Sequence, residues 1–136
     1  MGTLADVVSP NFLTVAPEDT LGEVAERMTA QNIGAVVVRD FGRLIGILTE
    51  RDMLRAMASR VHTSDARVRQ WMTLDPVTAP PDMDLEEAAQ IMLDNGFRHL
   101  PVVEGSQVLG VVSLRRVIGG RRQPATNEPE PAPEAA

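Results

Sequence analysis

The chain has 136 residues, of which 43% are hydrophobic and 24% charged, enough for one domain with a core of its own. With no cysteine and only two histidines, the chain can form no disulfide and has no cysteine nucleophile, and we expect no metal site. A net charge of −6, with neither a signal-peptide pattern nor a membrane-spanning run, predicts a cytoplasmic protein that binds neither nucleic acid nor membranes.

The first predicted elements lie between residues 12 and 48. An extended piece at 12–15 precedes Thr20, which fits a helix N-cap because Glu23 follows three residues later. Apolar residues then recur at helical spacing, which predicts a helix with one buried face. These inward residues are Leu21, Val24, Ala25 and Met28. Two short branched apolar runs, 35–38 and 44–48, predict a β-hairpin.

A last helix of this segment is predicted to begin after Thr49 and to end near Ser59. Its apolar residues Met53, Leu54 and Met57 are expected to face inward. The order of elements from residue 12 to Ser59 is therefore strand, helix, strand, strand, helix.

The same order recurs later in the chain. Leu13 aligns with Val77, 64 residues later, and the alignment continues to Leu54 and Ile118 without a gap. The second copy is predicted as an extended piece, a helix, two strands and a helix. Its predicted elements are 77–79, a helix from Asp84, strands at 100–103 and 108–112, and a helix from Ser113. Pro101 has no N–H to donate, so its strand is expected at a sheet edge or to begin there.

These patterns divide the chain into repeat 1 (5–60), a linker (61–70), repeat 2 (68–120) and a tail (121–136). A short helix at 68–72 is expected to lead into repeat 2, with Trp71 packing at a junction. The tail has four prolines and three glutamates and no large apolar residue, so we expect it to be disordered. It is interpreted as a solubilising tail, with docking to a partner as the alternative.

Two corresponding strand-to-helix turns carry the residues of chemical interest. The first contains Gly46, Thr49 and Asp52, and the second contains Gly110 and Ser113. A glycine permits close backbone approach, a helix N-terminus attracts phosphate, and a carboxylate accepts hydrogen bonds from ribose hydroxyls. The same threonine and aspartate spacing also matches a capping box, which needs no ligand.

Together with the segment 97–103 (FRHLPVV), these turns closely resemble those of a pair of CBS domains, the cystathionine beta-synthase motifs that form a Bateman module. The resemblance covers about residues 5–120. It implies an α/β (α+β) fold of two βαββα repeats, packed sheet to sheet about a pseudo-twofold axis. It also implies two clefts between the repeats that hold adenosine compounds such as AMP, ADP, ATP or S-adenosylmethionine, and pairing of modules into homodimers.

The resemblance assigns ligand-binding roles by position. Asp52 would bind the ribose hydroxyls, Thr49 would contact ribose or phosphate, and Ile47 would line the adenine pocket. Four residues at basic positions would bind phosphate: Arg98, His99, Arg115 and Arg116. The alternatives are that Arg98 is an ordinary surface residue and His99 a half-buried histidine without a ligand.

The second cleft departs from the family pattern. Arg116 stands where an aspartate is expected, and Arg116 cannot accept a hydrogen bond from ribose. The facing positions, Gly34 and Ala35, offer no charge to phosphate. We therefore expect one ligand per chain. Glu104 is an alternative partner for the arginines at the start of the last helix.

Two functions remain open from the sequence. The first is a regulatory module that binds an adenosine-containing ligand, with no other cofactor, and acts on a partner protein or on its own assembly. The alternative is a dimerisation module that needs no ligand. Catalysis is not expected, because Ser113 has no histidine base in its own repeat that is oriented by an acid.

Overall fold

The computed structural model describes residues 2–122. The helices are α1 (Leu4–Val7), α2 (Leu21–Gln31), α3 (Glu50–Ala58), α4 (Val68–Trp71), α5 (Leu85–Asn95) and α6 (Leu114–Arg122). The strands are β1 (Thr14–Val15), β2 (Ala35–Asp40), β3 (Arg43–Thr49), β4 (Thr73–Leu74), β5 (His99–Glu104) and β6 (Gln107–Ser113). The elements α2, β2, β3 and α3 recur with equal lengths as α5, β5, β6 and α6. The predicted repeat and its order of elements are confirmed.

The chain forms two compact units whose boundaries cross those of the sequence repeats. The first unit is Asn11–Pro76, and the second unit comprises the described residues 2–10 and 77–122. The segment that precedes the first copy thus packs with the second copy, and the segment between the copies packs with the first. In sequence, α1 and α4 lie 64 residues apart, so each is a lead helix that belongs to the other copy's unit.

The first unit is built on a sheet with strand order β1-β2-β3-β4. β1 and β2 are parallel, while β2–β3 and β3–β4 are antiparallel. The hairpin between β2 and β3 turns through Phe41 and Gly42, both with positive φ, as a tight turn between twisted strands requires. The core beneath the sheet contains Leu13, Val15, Leu21, Val24, Met28, Val36, Val38, Leu48, Ala56, Ala66 and Val68. Trp71 is partly buried against this core, in agreement with its predicted packing role.

The second unit contains the antiparallel pair β5–β6, extended by two single bridges. Ala79 bridges Val102 in parallel, and Ser9 bridges Val111 in antiparallel orientation. These bridges occupy the places that β1 and β4 hold in the first unit. The core of the second unit contains Leu4, Val7, Ala79, Leu85, Ala88, Ala89, Met92, Leu100, Val102, Val112 and Val117.

Pro101 explains why the second unit has a bridge where the first has a strand. In the first unit, the Val37 N–H donates a hydrogen bond to the Leu13 carbonyl (3.0 Å). Pro101 is the equivalent of Val37 and has no N–H. Only the reverse contact remains, in which the Ala79 N–H donates to the Pro101 carbonyl (3.0 Å). The predicted edge position of the Pro101 strand is confirmed.

The predicted cap of α2 is present, and the linker packs against it. The Thr20 hydroxyl donates to the Glu23 carboxylate (2.8 Å), and this bond, with one from the Thr20 N–H, lowers the pKa of Glu23. The Leu21 N–H donates to the Ala66 carbonyl (2.9 Å), and the Gly22 N–H donates to Thr63 (2.9 Å). The irregular stretch before α4 is therefore held to the first unit by backbone hydrogen bonds.

The predicted inward face of α3 is partly wrong. Leu54 and Met57 are 65% and 68% exposed, and only Met53 of the three is partly buried against the core. The buried residues of α3 are Asp52 and Ala56. Because the capping bonds of Asp52 draw its side chain inward, the helix presents the Asp52–Ala56 side to the unit and turns Leu54 away.

The predicted start of the tail is two residues too early, because Arg121 and Arg122 belong to α6. Arginine is a good helix former and is favourable at the C-terminal end of the helix dipole. The first helix-breaking residue is Pro124. The rest of the predicted tail, 123–136, lies outside the described residues.

The strand glycines are approached by the chain's own backbone, not by a ligand as the sequence had suggested. A Cβ at Gly46 would lie 2.9 Å from the Thr73 carbonyl oxygen, and a Cβ at Gly110 would overlap the Ser9 carbonyl oxygen. Thr73 and Ser9 follow the lead helices α4 and α1. Each glycine therefore admits the lead segment of the other copy to the edge of the sheet.

We predict that Gly110→Ala destabilises the protein, whereas Gly119→Ala stabilises it. The alanine methyl at residue 110 would force the backbone at Ser9 to move, at a cost of about 1–3 kcal/mol. Gly119 lies inside α6 with no other atom within 4 Å of the added methyl, so alanine there gains about 0.5–1 kcal/mol. Urea unfolding of the two variants checks both signs, and equal effects would contradict the close-approach role.

Candidate functional site

The strand-to-helix junction of the first unit holds a reciprocal capping box between Thr49 and Asp52. The Asp52 N–H donates to the Thr49 Oγ1 (3.4 Å). In return, the Thr49 N–H and hydroxyl both donate to the Asp52 Oδ2, at 2.9 Å and 3.1 Å. The capping interpretation that the spacing allowed is therefore realised, and it fixes the Asp52 carboxylate at the first turn of α3.

The Asp52 carboxylate also forms an ion pair. Asp52 is only 5% exposed, and the Arg55 Nη1 donates to its Oδ1 (3.0 Å). Three of the approximately four acceptor positions of the carboxylate are thus occupied, two on Oδ2 and one on Oδ1. A buried carboxylate held at a helix N-terminus in this way is a pre-oriented hydrogen-bond acceptor.

Ile47, the predicted adenine-lining residue, lies in β3 two residues before Thr49. It pairs with Val37 of β2 and is 6% exposed. Its neighbour Leu48 belongs to the core of the first unit, so Ile47 points to the opposite face of the sheet. Ile47, Thr49 and Asp52 therefore belong to one strand end and the helix turn that follows it.

The equivalent junction of the second unit has only half of the capping box. The Arg116 N–H donates to the Ser113 Oγ (3.2 Å), as the Asp52 N–H does to Thr49. Arg116 stands in place of Asp52 and has no acceptor for the reverse bond. The first turn of α6 contains no acidic residue, whereas that of α3 contains Glu50 and Asp52. The two junctions therefore share backbone geometry and differ in charge.

The predicted phosphate-binding residues come together within the second unit. The Leu114 N–H at the start of α6 donates to the Arg98 carbonyl (2.7 Å), and His99 pairs with Ser113 across the hairpin. Arg98 is exposed and His99 half-buried. Arg115 and Arg116 follow in the first turn of α6. Four basic side chains are thus anchored around one helix N-terminus.

Glu104 does not lie near these arginines in the β5–β6 hairpin. Glu104 pairs with Gln107 at the turn, and His99 pairs with Ser113 at the other end. Five residues of strand separate Glu104 from His99, which corresponds to about 16 Å. The alternative that Glu104 balances the charge of Arg116 is therefore wrong.

The two sets of predicted ligand residues lie in different units. Ile47, Thr49 and Asp52 belong to the first unit, and the four basic residues belong to the second. The sequence analysis missed Arg55, although its position three residues after Asp52 on a helix is the spacing at which opposite charges meet.

Two further searches cover only residues 2–122. In this part of the chain, no three histidine, aspartate or glutamate side chains are grouped closely enough to hold a metal ion. None of its helices has the length and apolarity that crossing a bilayer requires.

The CBS domain family profile matches this chain twice, at residues 4–59 and 68–121. The chain belongs to the CBS domain family. The two CBS matches have the 64-residue offset that relates α2, β2, β3 and α3 to their second copies. Each match also includes a lead helix, α1 or α4.

Individual CBS proteins match most of the chain. The CBS domain-containing protein YhcV of Bacillus subtilis is 32% identical over 114 residues, which cover 84% of this chain and 81% of YhcV. The structure of the CBS-domain containing protein ATU1752 of Agrobacterium tumefaciens is similar with a TM-score of 0.81 and 32% identity, covering 88% and 98% of the two chains.

A third similar structure contains ligands. It is the CBS domain pair of protein MJ0100 in complex with 5′-methylthioadenosine and S-adenosyl-L-methionine. Its TM-score is 0.78 at 26% identity, and the match covers 89% of this chain and 98% of the MJ0100 chain.

We predict that Thr49→Ala destabilises the protein more than Ser113→Ala does. Thr49 receives one hydrogen bond and donates two, so its loss is expected to cost about 1–2 kcal/mol. The Thr49 N–H bond survives in the alanine variant. Ser113 receives one capping bond, and its loss is expected to cost about 0.5–1 kcal/mol. Urea unfolding midpoints check the order, and a larger loss at Ser113 would contradict it.

Proposed function

We propose that this CBS protein is a regulatory module that binds an adenosine-containing ligand. The observation that carries the proposal is the buried Asp52 carboxylate, held by Thr49 and Arg55 at the start of α3. A vicinal diol presents two O–H donors, and a fixed carboxylate presents two oxygens at matching separation. Asp52 is therefore the proposed ribose contact, with Thr49 beside it and Ile47 against the adenine.

Arg98, His99, Arg115 and Arg116 are the proposed phosphate contacts. Arginine binds phosphate through a planar, bidentate set of donors, and the N-terminus of α6 adds backbone N–H groups and a positive dipole end. Cations at a helix N-terminus are unfavourable without a nearby anion, and the described part of this turn has no acidic residue of its own. A ligand phosphate would remove that repulsion.

The similarity to the MJ0100 pair supports the ligand class. That structure contains two adenosine compounds, one of which, 5′-methylthioadenosine, carries no phosphate. The four cations of this chain favour a phosphorylated compound, AMP, ADP or ATP, over S-adenosylmethionine, because the latter has a cationic sulfonium and no phosphate.

The proposed mechanism is a shift of a conformational equilibrium. A ligand held by side chains from both units would favour the arrangement in which both sets of contacts are made. The proposed output is a change in the assembly of a homodimer or in the binding of a partner protein. Asp52 and the basic residues are assigned to binding, and catalysis is not part of the proposal.

One observation favours the alternative, a dimerisation module that needs no ligand. Leu54 and Met57 are exposed on α3, one turn apart, and form an apolar strip of the kind that a second copy covers. The two functions differ in their response to nucleotide.

We predict that AMP or ATP raises the melting temperature of the wild type and that Asp52→Asn removes the rise. Ligand at 100 times its Kd stabilises the folded protein by about 2.7 kcal/mol, which corresponds to several degrees for a domain of this size. A thermal-shift titration measures the increment over each variant's own ligand-free value, so lost capping does not enter.

The matched control is Asp40→Asn, which removes one exposed carboxylate from the same unit at the end of β2. It is expected to retain the full nucleotide increment. Absence of an increment in wild type with AMP, ADP, ATP and S-adenosylmethionine would favour the dimerisation module.

We predict a stoichiometry of one adenosine ligand per chain. Asp52 occurs in the first unit only, and its equivalent Arg116 cannot accept hydrogen bonds from ribose. Isothermal titration calorimetry with AMP is expected to give one binding event, which Asp52→Asn abolishes. Two events per chain would contradict the assignment of Arg116 as a blocked position.

A further inference from the structure

Arg55 occupies part of the acceptor surface that the proposed ribose contact requires. It donates from Nη1 to the Asp52 Oδ1 (3.0 Å). The Arg55 side chain is 63% exposed, whereas the Asp52 side chain is 6% exposed. The guanidinium is thus the solvent-facing partner of a buried carboxylate. Resting on the proposed function, we propose that Arg55 is a displaceable latch that competes with the ribose diol for Asp52.

The number of acceptor positions supports this inference. The Asp52 carboxylate has about four lone-pair positions, and Thr49 takes two of them on Oδ2. Arg55 takes one on Oδ1, which leaves one. A vicinal diol donates two hydrogen bonds, so it binds fully only when Arg55 leaves. The Thr49 bonds remain in place, because they belong to the cap of α3.

The exposure of Arg55 makes its displacement easy. An ion pair with one partner in water is weak, and released Arg55 is fully rehydrated. Asp52 stays hydrogen-bonded to Thr49 throughout, so no carboxylate is left buried without a partner. Arg55 lies in the first unit only, since its equivalent in the second copy is Gly119.

The latch predicts a dependence on the ribose 2′-hydroxyl. A 2′-deoxyribose donates a single hydrogen bond near Asp52, and the one unoccupied acceptor position satisfies it with Arg55 in place. Removal of Arg55 should therefore strengthen binding of adenosine and leave that of 2′-deoxyadenosine unchanged. The uncharged nucleosides are the appropriate probes, because a phosphate would also respond to the lost positive charge.

The test is calorimetric titration of adenosine and 2′-deoxyadenosine into the full chain and its Arg55→Met variant. Methionine keeps the apolar stem and has no donor for Asp52. We expect adenosine to bind about 2- to 5-fold more tightly to Arg55→Met, the range that weak exposed ion pairs allow. The matched control is Arg69→Met, which removes a half-exposed arginine paired with Glu18 (2.7 Å) in the same unit and should change neither affinity.

Each outcome is decisive. A gain for adenosine alone supports the latch. Equal or weaker adenosine binding in Arg55→Met, or an equal gain for both nucleosides, overturns the latch while the proposed function stands. If neither the wild type nor Arg55→Met binds adenosine or AMP, the proposed function fails and the latch fails with it.

Discussion

Two close backbone approaches, at Gly46 and Gly110, determine how this chain is partitioned. At each glycine a carbonyl from a lead segment lies where a Cβ would otherwise be. The lead segment of the first copy is thereby held in the second unit, and that of the second copy in the first. Any larger residue would push the backbone away from the sheet edge. The unit boundaries therefore depend on two residues with no side chain.

The exchange of lead segments explains why neither copy is complete in isolation. The core of the second unit contains Leu4 and Val7, and that of the first contains Val68. Each unit has about 60 residues, a size at which a domain buries too little surface to spare part of its core. The tandem copies are therefore interdependent through the chain path itself.

The same backbone framework supports different chemistry in the two units. In both, the first N–H of the helix after the hairpin donates to a carbonyl 16 residues earlier, from Glu50 to Gly34 and from Leu114 to Arg98. The first junction then adds the Asp52 carboxylate, and the second adds cations. Because the framework is held by backbone bonds, the side chains at these turns are free to diverge without loss of the fold.

Asp52 combines two roles that usually compete. Its bonds to Thr49 stabilise α3, and they also orient the carboxylate that the proposed ligand would contact. Binding at Asp52 thus needs no reorganisation of the cap, because only the bond to the exposed Arg55 has to be released. A residue that is both cap and acceptor keeps its geometry in the presence and absence of ligand.

The sequence by itself determined the repeat, the order of its elements and the capping residues, because periodicity, N-cap chemistry and a constant 64-residue offset are local properties. It also identified Asp52 and the missing aspartate at Arg116. The exchange of lead segments, the exposed face of α3 and the distance of Glu104 from the arginines required the tertiary structure. Each of these depends on which distant segment covers a strand or helix, and spacing along the chain carries no information about such contacts.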